Sequence, residues 1–227
     1  MIRQLRRNQA WIRRLVLTLL ALAGQFSPVM APAPVFAAPE AGNIIYVNQA
    51  AAPGGSGASW ATAFKSLQDG LAAAAAGDEI WVAQGTYYPD EGVGITNNDR
   101  MAHFRLKSNV ALYGGFTGTE SSRDQRDWEA HRSVLSGDID QDPTTDICGP
   151  YIKNVPCNTS QNSYNVVYIF FVVNAVLDGF TVADGRDTRD RAAYSGGILS
   201  VRSAPVLRNL LITNNRSDNG RAGGMYA

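Results

Sequence analysis

The sequence predicts an all-β fold, a parallel β-helix that carries an N-terminal capping helix. Two observations predict it. Ala175–Arg186 aligns without a gap with Pro205–Arg216, thirty positions later, apolar residue on apolar residue. Leu177/Leu207, Phe180/Leu210 and Val182/Ile212 then form three inward ladders, and Asp178-Gly179 and Arg208-Asn209 supply the corner between two short strands. A second marker, Gly196-Gly197-Ile198, returns 27 positions later as Gly223-Gly224-Met225. Fixed periods of a few tens of residues are the mark of stacked coils, each burying its apolar side only against its neighbours. An antiparallel sandwich would need strand lengths and hairpin turns that the sequence lacks.

The elements follow in order. Met1–Arg14 holds Arg3, Arg6, Arg7, Arg13 and Arg14 with no acid, and the apolar run Leu15–Ala23 comes next. That is the pattern of a secretory signal. The run is shorter than the roughly 20 residues needed to span a bilayer, and no later segment reaches that length. Val35 and Ala37 place cleavage before Ala38, with Ala21/Ala23 as an earlier alternative. Arg13-Arg14 reads as an ordinary positive flank, since Ile12 stands where a twin-arginine signal has Ser or Thr. The expected organisation is a signal peptide over 1–37 and one β-helix domain over 38–227, with a cap at 44–77 and coils at 78–227. The C-terminus is expected to be incomplete, because Gly223-Gly224-Met225 should open another coil.

Within the domain, Ile44–Val47 reads as the first strand. Trp60, Phe64, Leu67 and Leu71 fall on one helical face, and Gly77 supplies a stop. This helix is expected to cover the open end of the first coil, where unpaired strand edges would otherwise aggregate. Short β-rich runs follow at Ile80–Val82, Phe104–Leu106, Val110–Tyr113, Val134-Leu135 and Val166–Val173, separated by Gly, Asn and Asp. The absence of helices between the later strands argues against a doubly wound sheet.

Charge narrows the partners. All 20 acids lie beyond the leader and five of the 20 basic residues lie within it, so 15 basic residues face 20 acids, a net charge of −5. An acidic surface without a basic cluster argues against nucleic acid and anionic membranes. Cys148 and Cys157 are the only cysteines. In an exported chain they are expected to form a disulfide, stabilising a small loop by about 2–3 kcal/mol on a chain-entropy account.

Candidate chemistry is sparse. His103 and His131 are isolated and read as loop or surface residues. No nucleophile elbow, phosphate-binding loop or Cys cluster occurs. Asp138, Asp140, Asp142 and Asp146 space their acids as in the first half of a calcium loop. Yet Pro143 replaces the loop's glycine and Gly149 its bidentate glutamate, so a weak calcium site and a solvated acidic turn both stand, the turn preferred. Trp81, beside inward Ile80 and Val82, should point outward, with Tyr87 and Tyr88 near it. Either the three rings form a glycan-stacking row, or they lie under the Asp90–Arg100 excursion, and the covered arrangement is preferred. Arg123–Glu129 is a mixed-charge surface run in which Ser121 and Asp124 suit a short helix cap.

Several segments carry a resemblance: Ile45-Tyr46-Val47, Ser59–Phe64, Gly77–Tyr87, Leu112–Phe116 and Leu135–Ile139, with Gly114–Trp128 the most specific. In that order they resemble the opening of secreted right-handed β-helix repeat proteins of environmental bacteria. The Gly-Gly-apolar markers are similar to the repeats of chlamydial polymorphic outer membrane proteins. Leu211-Ile212-Thr213-Asn214 stands here for the Phe-x-x-Asn partner motif, and one marker ends in Met. The resemblance implies a secreted or surface-exposed chain, held at the outer membrane if a further C-terminal part anchors it. It also implies an adhesive or structural role toward extracellular glycans or neighbouring surfaces, without a catalytic residue or required cofactor. The alternative is a polysaccharide lyase or glycoside hydrolase of the same fold. A facing carboxylate pair is missing from the repeats, since Arg208 and Asn214 stand one coil from Asp178 and Asp184.

Overall fold

The computed structural model describes residues 42–141, 161–189, 195–218 and 222–227. The chain is all-β. Among the described residues there are fifteen short strands: β1 Ile44–Val47, β2 Glu79–Ala83, β3 Gly85–Tyr87, β4 Phe104–Arg105, β5 Ala111–Phe116, β6 Ser133–Ser136, β7 Val167–Phe170, β8 Val173–Asp178, β9 Phe180–Ala183, β10 Arg186–Asp187, β11 Ile198–Val201, β12 Ala204–Arg208, β13 Leu211–Thr213, β14 Arg216–Ser217 and β15 Met225–Tyr226. The α-helix of the described residues, α1, spans Leu67–Ala73, and 3-10 turns span Trp60–Thr62 and Arg123–Gln125.

Every strand pairing among the described residues is parallel. The sheet orders are β1-β2-β5-β8-β12, β15-β11-β7-β4, β13-β9-β6-β3 and β10-β14. From β2 onward, consecutive strands of the chain join different sheets, so that strands far apart in sequence pair side by side. The register places Leu112 beside Leu177 and Leu177 beside Leu207, Val182 beside Ile212, and Ile198 beside Met225. Both sequence repeats are thus pairing registers. Inward residues Ile80, Leu112, Leu177, Leu135, Val182, Val167 and Ile198 share one core.

The bends between strands recur at matching positions. Gly115, Gly179 and Asn209 have φ of 96°, 85° and 49°, Asp184 and Asn214 62° and 53°, Asn109 and Asn174 59° and 55°, Phe171 and Arg202 53° and 48°. Asn, Asp and Gly accept the left-handed region most easily, which explains their placement between the β-rich runs. The Gly-Gly markers have another cause. A Cβ on Gly196 would lie 2.3 Å from the Arg216 carbonyl oxygen, and one on Gly197 2.2 Å from that of Gly224. Backbone approaches backbone there, so no side chain fits.

Two expected elements divide. The run Val166–Val173 breaks at Phe171, whose positive φ ends β7 and sends β8 into another sheet. The helix expected from Trp60 begins only at Leu67, because Ala63 is extended (φ −58°, ψ 147°) and Phe64 forms a parallel bridge with Val47. Ser66 caps α1 by accepting from Asp69 N at 3.1 Å. Lys107 Nζ donates to the Ala72 and Ala74 carbonyls at the other end, where a cation suits the helix dipole. Leu67 and Leu71 enter the main core, whereas Trp60 joins a separate aromatic cluster.

Candidate functional site

The sequence-selected residues fall in two places. Asp138 and Asp140 follow β6 directly, whereas Asp142, Asp146, Cys148 and Cys157 lie outside the described residues. Parallel pairing brings acids from three successive strands to one corner: Asp90 and Glu91 after β3, Asp138 after β6 and Asp184 after β9. Tyr88 sits among them. Burial raises its phenol pKa, and the charges of Asp138, Glu91, Asp184 and Asp90 raise it further. The Glu91 carboxyl is also raised, by burial first and by Asp90. A hydrogen bond from Gln141 Nε2 at 3.2 Å and the charge of Lys65 oppose that rise. Asp184 accepts from Ser136 Oγ at 3.0 Å and from Asn214 Nδ2. Asp90 is buried; its Oδ2 accepts from Asn98 N at 2.9 Å, while its Oδ1 has no hydrogen-bond partner. Among the described residues no group of three or more His, Cys, Asp or Glu side chains converges as a metal site.

The ring row differs from the one expected. Trp81 does lie opposite Ile80 and Val82, but it is only 3% exposed and stacks on Phe116 at 4.8 Å and 10°. Tyr46 packs edge-on against both Trp81 and Trp60, and Trp60 donates its indole N–H to the Glu120 carbonyl at 2.8 Å. Tyr87 is buried in the main core and donates to the Ala83 carbonyl at 2.9 Å. Neither Trp81 nor Tyr87 offers a free face to a sugar, and the cover over Trp81 is this aromatic cluster, not the Asp90–Arg100 excursion. Tyr88 is half-buried in the acidic corner.

Another row does reach the surface. His103 packs on Tyr168 at 4.7 Å, Tyr168 on Phe170 at 5.8 Å, and Phe170 on Phe171 at 4.4 Å. Arg202 places its guanidinium 5.5 Å from the Phe171 ring. The alternation Val167-Tyr168-Ile169-Phe170 carries this information, since it puts two rings on one face and two aliphatic residues in the core. Comparison with family models, curated proteins and solved structures finds no match. The site must therefore be read from its own geometry.

The remaining sequence-selected residues are structural. Burial lowers the His103 pKa, and its Nδ1 meets the Met101 carbonyl at 2.8 Å. His131 Nδ1 contacts Gln84 Oε1 at 3.0 Å. The capping turn lies one residue later than expected: Gln125 Oε1 accepts from Ser121 N and Ser122 N at 2.8 and 2.9 Å. Arg126, read as a solvated surface charge, instead reaches Asp178 Oδ2 at 2.9 Å with both side chains nearly buried. No helix of the described residues is long and apolar enough to cross a membrane.

Proposed function

We propose that this chain is a secreted or surface-held right-handed parallel β-helix, acting as an adhesive or structural module without catalysis, with α1 as its N-terminal cap. The observation that carries the reading is the repeating parallel register, in which strands from β2 onward take turns among the sheets and the left-handed bends recur. Such stacking produces a long, side-chain-covered surface whose role is to project and to bind. The secretory leader and the resemblance to bacterial β-helix repeat proteins support an extracellular place for it. Cell fractionation of a bacterium expressing the full chain tests this. The protein should appear in the medium or envelope beginning at Ala38, with no free thiols after unfolding. Retention of residues 1–37 in the cytoplasm would overturn the reading.

The second reading is a polysaccharide lyase or hydrolase. The corner of Tyr88, Asp90, Glu91, Asp138 and Asp184 favours it, because a buried carboxylate oxygen without a partner beside a raised Glu91 is costly unless used. The module reading expects no unsaturated or reducing ends from pectin or alginate, with or without calcium. Turnover lost on Asp138→Asn would establish the enzyme instead. A melting temperature that rises with millimolar calcium, and stops rising in Asp138→Asn/Asp140→Asn, would add a weak calcium site.

A further inference from the structure

A cleft of about 550 Å³ lies between α1 and the segment Arg105–Ser108, closed at one side by Phe170–Val172 and at the other by Val93 and Ile95. Its lining is mainly apolar, with Leu71, Val93, Ile95, Leu106, Phe170 and Phe171 on its walls. Three of these residues are also exposed to water: Val93 at 90%, Phe171 at 57% and Ile95 at 41%. Clustered exposed apolar side chains mark a binding surface, whereas scattered ones carry no meaning. Phe171 bears a second cost. It is a bulky residue at φ 53°, a position where Asn or Gly would sit without strain. Neither the core nor the bend needs that ring. The corresponding bend after β11 uses Arg202.

The polar groups of the cleft define what it takes. Gln68 Nε2 donates to the Pro89 and His103 carbonyls, and Asp69 Oδ1 accepts from Val93 N. Lys107 Nζ holds the end of α1, and Ser108 Oγ accepts from Val173 N. Arg105 is exposed and has no ion-pair partner among the described residues. A sugar chain needs many unengaged hydrogen-bonding groups for its hydroxyls, and this cleft does not present them. A peptide adding as a strand needs an open sheet edge. The nearest edge strand, β4, has only two residues and packs against α1. What remains is an apolar trough with one free guanidinium, beside the further cation of Arg202.

We propose that this cleft binds an anionic amphiphile, a single acyl chain lying across Leu71, Val93, Ile95 and the Phe170–Phe171 rings with its carboxylate on Arg105. The volume is in the range of small-ligand sites, and an apolar body with one fixed charge is what such sites recognise. This inference is independent of the adhesive reading, since it rests on the local geometry alone.

Titration calorimetry of the full chain with submicellar dodecanoate, and with dodecanol as the uncharged partner, tests it. Saturable binding of dodecanoate is expected. Arg105→Gln should weaken dodecanoate by about tenfold or more and leave dodecanol unchanged. Phe171→Asn, which suits the bend, should weaken both while the melting temperature holds or rises. No binding of dodecanoate, or binding indifferent to both substitutions, would overturn the proposal. Binding to phosphatidylglycerol vesicles without binding of monomeric dodecanoate would make the face a membrane-docking surface instead. Arg105-dependent binding of oligogalacturonate in place of dodecanoate would make it a glycan site.

Discussion

Arg126 shows how a charge far from any catalytic role governs stability. Its guanidinium donates to the Gly114 carbonyl at 3.0 Å and to Asp178 Oδ2, and it lies 5.2 Å from the Tyr113 ring and 4.9 Å from that of Trp128. Asp178 also accepts from Asn209 Nδ2 at 2.7 Å. Removing the cation leaves the buried carboxylate with Asn209 and the longer, exposed Arg208 contact at 3.6 Å, so Arg126→Ala should cost about 3 kcal/mol in chemical denaturation, the low end for breaking a buried pair. Replacing both residues, Arg126→Met with Asp178→Leu, should recover part of that loss. Glu120 supplies a pH dependence. Burial alone would raise its carboxyl pKa, but bonds from Thr117 N, Thr119 N and the Thr117 hydroxyl outweigh that and set it below its ordinary 4.5. Because the folded value is the lower one, the stabilisation is complete above 4.5 and disappears as pH falls through the depressed value. The melting temperature of Glu120→Gln should therefore be lower than wild type at neutral pH, the gap closing in strong acid.

Among the elements, β5, β8 and β12 carry one ladder. Leu177 is fully buried between Leu112 and Leu207, while Leu207 is half-buried on β12. Leu177→Ala should cost about 2–5 kcal/mol, and Leu207→Ala distinctly less, in equilibrium unfolding. Equal costs would contradict the packing. This ladder was legible in the sequence because its apolar positions repeat without a gap, and parallel pairing converts a fixed offset into contact. The helix was legible only in part. Its apolar spacing from Trp60 is genuine, but the extended Ala63 and the Phe64 bridge divide it, and a periodic pattern cannot report a pairing with Val47. Trp81 is covered, as preferred, but the identity of its cover was not legible, for a related reason. Alternation gives the side of a strand, not what covers it, and Phe116 lies 35 positions away.

For the molecule as a whole, the all-β class and the parallel registers followed from repeats, whereas the surface chemistry did not. The acidic corner assembles Tyr88, Asp138 and Asp184 from three passes of the chain, and the cleft joins α1 to residues a hundred positions further on. Neither spacing is visible without the fold. Opposing charges brought together in the same way also appear as braces: Arg186 reaches Asp218 at 3.0 Å and Arg123 reaches Glu79 at 2.6 Å. The first ties β10 to the residue that follows β14, and the second ties a surface turn to β2. Such exposed pairs contribute little individually, so their neutralisation should move the melting temperature far less than Arg126→Ala does.

The recurring left-handed bends have a consequence for chain length. Register partners are 30 positions apart between β9 and β13, 27 between β11 and β15, and 65 between β5 and β8. Pairing survives these differences because each bend redirects the backbone locally, whatever length of chain lies between one bend and the next. Extra residues are therefore accommodated where the path already departs from the sheets, as it does over 92–98. A flexible Gly-Ser segment of about ten residues inserted after Gly94 should leave the unfolding midpoint nearly unchanged, since doubling a loop costs only about 0.6 kcal/mol. The same segment placed after Leu177 should abolish folding. A lineage carrying this architecture is free to vary its surface by lengthening loops while the paired strands stay constant.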